Sequence, residues 1–321
     1  MQPVQMSSGD LVADRRASYA EMLLEAGEAS AAADLMHDAL ELVPGWTAGW
    51  FRLGEMMEVA GRTAEAADAW REVLRLDPLD RLGAALKLEL VGMVEGLDAP
   101  PIAFVETLFD QYADSFDAAL VGQLDYRVPQ LLSAALAATG RARFAHAVDL
   151  GCGTGLLAEH LRSRVSFMEG VDISAQMLKR AEGKGLYDRL SHADLNRFVF
   201  PAGVDLVAAA DVFMYVGDIA DIVRRVAAAL PVGALFAFSV ERGADEIPFL
   251  LRHSRRYAHS GPALRALLAD CGLDILSMET AVIRMDAGEP LEGLIVVAER
   301  QACTAALPVV AETEPMPLTL H

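Results

Sequence analysis

The run AVDLGCGTG at residues 147–155 constrains the fold of this chain more than any other segment. An apolar, β-prone stretch carries an acid at Asp149 and gives way to three alternating glycines: Gly151, Gly153 and Gly155. A helical pattern then begins at Leu156. Alternate glycines let the backbone approach a bound molecule closely, and a helix that starts behind them presents unpaired N–H groups to it. The run therefore predicts a strand, a ligand-binding turn and a helix.

The spacing of the glycines separates two classes of cofactor. A dinucleotide-binding turn carries a further glycine three residues after the second, where helix and strand pack around a pyrophosphate. This chain has Leu156 at that position, which disfavours a dinucleotide-dependent oxidoreductase on the same strand order. The spacing present, G-x-G-x-G behind an acid, resembles motif I of class I S-adenosylmethionine (SAM) dependent methyltransferases.

An acid also ends the second strand pattern, VSFMEGVDIS at residues 165–174. In a βαβ unit Asp172 would lie beside the glycine turn, where a carboxylate accepts both hydroxyls of a ribose. The alternative is that Asp172 or Ser174 only caps the next helix. Ile173 and Met177 would pack against the adenine ring, although Met177 fits a helix core almost equally well.

Two later segments are expected to complete the cofactor site. LSHADL at 190–195 predicts a short strand, and in the methyltransferase family an acid at this place, here Asp194 beside Leu195, accepts from the adenine amine. VDLVAAADVFMYVGD at 204–218 predicts a buried central strand that Asp211 closes. The resemblance implies that Asp211 faces the methionine end of SAM and the methyl acceptor.

The elements between residues 141 and 300 predict an α/β fold with a seven-stranded, Rossmann-like methyltransferase sheet. Its last two strands, 273–284 and 294–299, are separated by a turn that contains Gly288 and Pro290. That turn indicates an antiparallel hairpin rather than a crossover connection. The resemblance therefore covers a whole catalytic domain.

An all-α domain is predicted before the sheet. An offset of 34 residues relates several pairs of positions: Gly27 and Gly61, Ala32 and Ala66, Met36 and Trp70, Pro44 and Pro78. This is the pattern of tetratricopeptide repeats (TPR), which have two antiparallel helices per unit. We assign residues 14–97 to two repeats and a capping helix over 79–96. The region is expected to bind a protein partner, to self-associate, or only to support the fold.

Residues 98–140 form a predicted linker with lid helices. The elements FDQYADSFD and LDYRVP resemble the segment that precedes motif I in bacterial methyltransferases fused to such repeats. In related enzymes this segment folds over the cofactor, so Tyr112, Phe116 and Arg127 are candidates for closing on SAM, Arg127 through the methionine carboxylate. The expected cofactor contacts are Asp149, Gly151, Gly153, Asp172, Ile173, Met177, Asp194, Leu195, Asp211 and Tyr112.

Composition and charge limit the classes of partner and the cellular location that are expected for the protein. With 46 acidic and 27 basic residues the formal charge is −19, which repels phosphate backbones, so no nucleic acid is expected as a partner. No apolar stretch is long enough to span a membrane and the N-terminus lacks a signal pattern, which predicts a cytoplasmic protein. The three cysteines share no metal-ligand spacing, so no metal site is predicted. Residues 1–13 and 301–321 predict flexible tails.

These patterns predict a SAM-dependent methyltransferase that acts on a small-molecule or protein acceptor. A hydroxyl or carbon acceptor requires a base within hydrogen-bond reach. The candidates are Asp211, Tyr215 and His192, with His253 and His259 as further groups. An alternative function is a non-catalytic TPR adaptor, in which the repeats bind a protein and the pocket senses SAM or is vestigial.

Overall fold

The computed structural model describes residues 5–94, 96–97, 99–114, 116–286 and 288–302. Over this part of the chain, eight helices precede the first strand: Leu11–Glu25 (α1), Ala29–Leu42 (α2), Thr47–Val59 (α3), Thr63–Leu76 (α4), Ala84–Leu90 (α5), Ile102–Tyr112 (α6), Phe116–Gln123 (α7) and Val128–Ala138 (α8). Four more helices follow: Leu156–Leu161 (α9), Ala175–Lys184 (α10), Ala220–Ala229 (α11) and Gly261–Asp270 (α12). None of the described helices is long and apolar enough to cross a bilayer.

Helices α1 to α4 repeat at the offset seen in the sequence. Both α1 and α3 end just before a glycine with positive φ, at Gly27 (+86°) and Gly61 (+76°), a conformation that a side chain disfavours. Helices α2 and α4 begin and end at positions that differ by the same 34 residues. Gly54 lets α3 approach Trp70 closely, because a Cβ at Gly54 would lie 2.3 Å from the indole Nε1.

Two boundaries of the helical region differ from the prediction. Helix α1 begins at Leu11, inside the expected tail, because the Asp10 side chain accepts hydrogen bonds from the N–H groups of Val12 and Ala13. Helix α5 spans Ala84–Leu90 and is therefore much shorter than the predicted capping helix over 79–96. Its late start is explained by Asp80, whose side chain accepts a hydrogen bond from the Ala84 N–H at the first residue of the helix. Residues 1–4 and 303–321, including most of the second predicted tail, lie outside the described residues.

The second half of the described chain forms one sheet: Phe144–Leu150 (β1), Val165–Asp172 (β2), Arg189–His192 (β3), Leu206–Ala209 (β4), Leu235–Arg242 (β5), Phe249–Leu251 (β6), Tyr257–His259 (β7), Leu273–Asp286 (β8) and Glu289–Arg300 (β9). The order is β3-β2-β1-β4-β5-β7-β6, and β9 pairs with β5 and β8. Neighbours from β3 to β5 are parallel, and β8 and β9 form an antiparallel pair beside β5.

The predicted count of seven strands is wrong, because the described residues already form nine. The additional pair, β6 and β7, is a short hairpin of three-residue strands that leans on the end of β5. Strands this short are below the length at which alternation can be recognised in a sequence. The predicted α/β class and the C-terminal antiparallel pair agree with the structure.

The helical region packs on the sheet through this small hairpin. Leu86 of α5 and Phe104 of α6 form a buried cluster with Leu251 and Tyr257 of the hairpin. The Tyr257 hydroxyl also donates to the Leu97 carbonyl at 3.1 Å. Burial of apolar area at this joint fixes α6 above the carboxyl ends of the parallel strands, where open α/β sheets bind their ligands.

Candidate functional site

The glycine turn lies between β1 and α9 and depends on backbone conformations that side chains rarely adopt. Gly151 has φ +61° and Gly153 has φ +53°. A Cβ at Gly151 would lie 2.6 Å from the Val212 side chain, so only glycine fits between the strand ends. The Gly153 N–H donates to the Asp172 carboxylate at 2.8 Å, which ties the turn to the end of β2.

Asp172 is buried at the tip of β2 and faces the glycine turn. Its two carboxylate oxygens accept from the N–H groups of Gly153 and Ser174, each at 2.8 Å. Burial raises the pKa of Asp172, and the backbone donors offset part of that effect. Ser174 caps α10 by accepting from the Met177 N–H, so Ser174 takes the capping role that the sequence left open between the two residues.

Asp149 is the most electrostatically perturbed acid of the site. Its side chain is 1% exposed, and one oxygen accepts from the Tyr187 hydroxyl at 2.7 Å. The other oxygen, Oδ1, is buried and has no hydrogen-bond partner among the described residues. Burial raises the pKa of Asp149 to about 7, against the lowering effect of Tyr187, and the negative charge of Asp172 adds to the increase.

Asp211 follows β4 in a strained backbone conformation, with φ +61°. Its N–H donates to the Ser239 hydroxyl at 2.9 Å, and its Oδ2 forms an ion pair with Arg284. Its Oδ1 is buried without a partner among the described residues. Burial raises the pKa of Asp211, and the Arg284 charge partly opposes this.

Tyr215 lies at the end of a short 3₁₀ turn after Asp211. Its ring meets Phe109 of α6 edge to face, with centroids 5.0 Å apart. Burial raises the pKa of the Tyr215 hydroxyl, although the charges of Arg256 and Arg284 lower it. The phenol is therefore protonated near neutral pH.

Helices α6 and α7 close over the glycine turn through acidic side chains. Asp110 accepts from the Ser174 hydroxyl at 2.6 Å, and Asp117 forms a hydrogen bond with Thr154 and an ion pair with Lys184 at 2.8 Å. Three aromatic side chains of these helices line the cleft beneath: Phe109, Tyr112 and Phe116. Side chains of α6 and α7 therefore form part of the cleft wall.

One cavity of about 620 Å³ joins these elements. Its volume falls in the range of small-molecule sites, and its walls are mostly apolar with a few convergent polar groups. Nine of the predicted residues line it: Asp149, Gly151, Gly153, Asp172, Ile173, Asp194, Leu195, Asp211 and Tyr112. Tyr215 and Phe116 line it as well.

Other predicted residues do not line this cavity. Met177 is completely buried, and its N–H donates to the Ser174 hydroxyl at 3.1 Å. His192 is exposed and bonds through Nε2 to the Ile173 carbonyl at 2.7 Å, outside the cleft. Arg127 is exposed, and its N–H donates to the Ile283 carbonyl. Of the further histidines, His259 is buried against the Gly217 carbonyl. His253 is exposed and does not line the cavity either.

Sequence reasoning missed several lining residues: Tyr126, Arg255, Arg256 and Arg284. Arg255 and Arg256 are adjacent in the sequence, but their place in the cleft depends on the β6–β7 hairpin. Among the described residues, no group of three His, Cys, Asp or Glu side chains is arranged to hold a metal ion.

Comparison with known proteins identifies the domain that carries this cleft. Residues 148–238 match the family model described as a methyltransferase domain. Methyltransferase-like protein 27 of Homo sapiens is 37% identical over 107 residues, which are 32% of this chain and 43% of that protein. Trans-aconitate 2-methyltransferase of Afipia carboxidovorans is 30% identical over 129 residues, 37% of this chain and 50% of that protein.

A third relative, the malonyl-acyl-carrier-protein O-methyltransferase of Enterobacter lignolyticus, is 29% identical over 133 residues, 41% of this chain and 52% of that protein. The chain therefore spans about half the length of the curated relatives it matches.

Solved structures show the same fold at low identity. Magnesium protoporphyrin IX methyltransferase from Synechocystis PCC 6803, with bound SAM, has a TM-score of 0.50 and 20% identity, covering 65% of this chain and all of that one. The cyclase SpnF has a TM-score of 0.52 and 16% identity, covering 64% of this chain and 99% of that one. Residues 148–238 are thus similar to methyltransferase domains, and the chain shares the fold of these two structures.

Proposed function

We propose that the protein transfers a methyl group from SAM to a small-molecule acceptor. The single observation that carries this proposal is the convergence of Asp149, Asp172 and Asp194 with the glycine turn on one cavity. The family match over residues 148–238 supports it. The fold alone does not decide the reaction, since a cyclase shares it.

The residues present fit the cofactor at several points. The unpartnered Oδ1 of Asp149 would accept from the ammonium group of the methionine part. Asp172 would accept the ribose hydroxyls, because each carboxylate oxygen keeps a second lone pair beyond its backbone donor. Asp194 would accept from the adenine amine, and Ile173 and Leu195 would pack on the ring.

The chemistry supplied by SAM is an activated methyl group on a sulfonium. The protein then has to hold the acceptor in line with that methyl and exclude water, which are positioning effects. Helices α6 and α7 perform the second task by covering the cleft with Phe109, Tyr112 and Phe116. The Asp110 and Asp117 contacts keep this cover in place.

Two observations favour a small acceptor group over a nucleic acid. One relative is named for trans-aconitate, a small molecule, another is named for a malonyl group on a carrier protein, and neither is named for a nucleic acid. The formal charge of −19 also opposes the binding of a phosphate backbone.

We further propose that α1 to α4 are two tetratricopeptide-like units. Support comes from the 34-residue repetition of the helix boundaries, from the glycines at the ends of α1 and α3, and from the close approach of Gly54 to Trp70. Ala84 and Leu88 of α5 pack in the same core as α4, so α5 covers that end of the array. Binding of a protein partner by the repeats stays a prediction.

Calorimetric titration with SAM tests the proposed function. The wild type should bind SAM, and Asp172→Ala should weaken binding roughly 10- to 100-fold, as expected for lost hydrogen bonds to a charged group. Asp221→Ala is the matched control, because Asp221 is an exposed aspartate of α11 paired only with Arg224. Undiminished binding in Asp172→Ala contradicts the site. Steady release of S-adenosylhomocysteine (SAH) with a methyl acceptor would exclude the adaptor alternative.

A further inference from the structure

A tyrosine outside the predicted site lies directly behind the glycine turn. Tyr187 is in the short segment between α10 and β3, and its hydroxyl donates to Asp149 Oδ2 at 2.7 Å. Asp149 lines the cleft, whereas Tyr187 does not. Any effect of Tyr187 on a ligand in the cleft must therefore pass through Asp149.

Two glycines make room for the Tyr187 ring. A Cβ at Gly155 would lie 3.0 Å from Tyr187 Cε2, and a Cβ at Gly170 would lie 2.9 Å from Tyr187 Cε1. Gly170 lies opposite Asp149 in the pairing of β1 with β2. The third glycine of the turn thus does more than allow its own φ of +91°, because it also leaves space for an aromatic ring beside the acid.

The residue after Tyr187 fixes this segment to β2. The Asp188 N–H donates to the Met168 carbonyl at 2.8 Å, and Asp188 Oδ2 accepts from the Met168 N–H at 2.7 Å. Asp188 also forms an ion pair with Arg162 at 2.9 Å. The position of the Tyr187 hydroxyl is therefore set by backbone contacts and does not depend on a free loop.

The two carboxylate oxygens of Asp149 have different surroundings. Oδ2 is held by Tyr187, which is the one side chain among the described residues that donates a hydrogen bond to Asp149. Oδ1 is buried and has no partner among them. A buried carboxylate oxygen without a donor is costly, so Oδ1 is the place where a donor from a ligand would be stabilising.

We propose that Tyr187 is a positioning residue of the cofactor site, which holds Asp149 through Oδ2, leaves Oδ1 for the ammonium group of SAM, and thereby sets the pH range in which SAM binds. The inference rests on the proposed function. It extends that function to a residue that does not touch the cofactor.

The direction of the pH effect follows from the groups around Asp149. Burial raises the pKa of Asp149 to about 7, the Tyr187 hydrogen bond lowers it, and the charge of Asp172 raises it. Burial also raises the pKa values of the Cys152 thiol and the Tyr126 phenol, so both are neutral in this range. Because the hydroxyl of Tyr187 stabilises the ionised carboxylate, its removal should raise the pKa of Asp149 further.

Calorimetric titration with SAM at several pH values tests the proposal in Tyr187→Phe, which keeps the ring and loses only the hydroxyl. The rise of SAM affinity with pH should move upward by about one pH unit, as for loss of one hydrogen bond to a charged group. Near pH 6 the variant should therefore bind SAM about tenfold more weakly than the wild type. Near pH 8.5 the two should agree to within about twofold, because Asp149 is then mostly ionised in both.

A double variant shows whether the effect passes through Asp149. Asp149→Asn removes the group that titrates, so adding Tyr187→Phe to it should change SAM affinity by less than about twofold at every pH. Tyr19→Phe is the matched control, because Tyr19 is an exposed tyrosine of α1. It should have the pH profile of the wild type.

The outcomes separate this inference from the proposed function. If SAM does not bind the wild type, the proposed function fails. If SAM binds, an unchanged pH profile in Tyr187→Phe overturns the inference alone. Weakening of SAM binding by the same factor at every pH also overturns it, since that result would show a general structural role for Tyr187 rather than control of Asp149.

Discussion

Replacing Asp149 by asparagine should change the pH dependence of both stability and cofactor binding. The folded protein raises the pKa of Asp149 from the ordinary value of 3.8 to about 7, mainly through burial. A raised carboxyl pKa means that folding favours the neutral acid. The resulting stability is complete below the unfolded pKa and is lost as pH rises through the folded pKa.

The size of the effect follows from the pKa change. The increase from 3.8 to about 7 corresponds to about 4 kcal/mol at roughly 1.36 kcal/mol per pKa unit. Between about pH 5 and about pH 8 the wild type should lose roughly 3 kcal/mol of stability that Asp149→Asn does not lose. Asparagine keeps an acceptor for the Tyr187 hydroxyl, so the hydrogen bond to that group can persist.

Cofactor binding should depend on pH in the opposite sense. The positive charges of SAM favour the ionised form of Asp149, so SAM affinity should rise about tenfold per pH unit below pH 7 and level off above it. In Asp149→Asn the affinity should be lower and nearly independent of pH over this range.

Urea denaturation of the cofactor-free protein near pH 5 and near pH 8 measures the first effect, and calorimetry across the same range measures the second. Asp221→Asn serves as the control, because its carboxylate is exposed on α11. The reasoning is refuted if the wild type and Asp149→Asn lose the same free energy of unfolding between the two pH values.

Three further predictions concern the turn, the lid and the helical region. Gly151→Ala should cost about 1–3 kcal/mol in urea denaturation, because its Cβ meets Val212 at positive φ; unchanged stability would contradict the described packing. Asp110→Ala should release the contact to Ser174 and speed SAM dissociation in stopped-flow measurements, whereas an unchanged rate would mean that α6 does not gate the cleft. Trp70→Ala should cost about 3–5 kcal/mol, because the side chain is fully buried between the first helices, and a loss below 1 kcal/mol by urea denaturation would contradict this core.

The cofactor end of the site was predictable because it follows from local sequence. A strand, a glycine turn and a helix occupy consecutive residues, and parallel strands bring their carboxyl ends to one edge of the sheet. Asp149, Asp172 and Asp194 therefore converge without any long-range information. Met177 is fully buried and does not line the cleft, and the spacing of apolar residues along α10 does not distinguish a core position from a cofactor contact.

The acceptor end could not be predicted in the same way. Arg255 and Arg284 both line the cleft, but they lie on elements that are distant from the glycine turn in sequence. Arg255 is in the β6–β7 turn and Arg284 is in β8, and these elements join the sheet by pairing with β5 and β9. The His192 side chain lies outside the cleft. Its direction is set by the register in which β3 pairs with β2, and the sequence alone does not give that register. Such placements result from tertiary structure rather than from a motif.

A crystal structure of the protein with SAH would show directly where the cofactor binds. Adenosine should lie between Ile173 and Leu195, with its ribose hydroxyls at Asp172, its adenine amine at Asp194 and the amino group of the homocysteine part at Asp149. Binding of SAH elsewhere on the protein, or with its ribose away from Asp172, would contradict the proposed cofactor site.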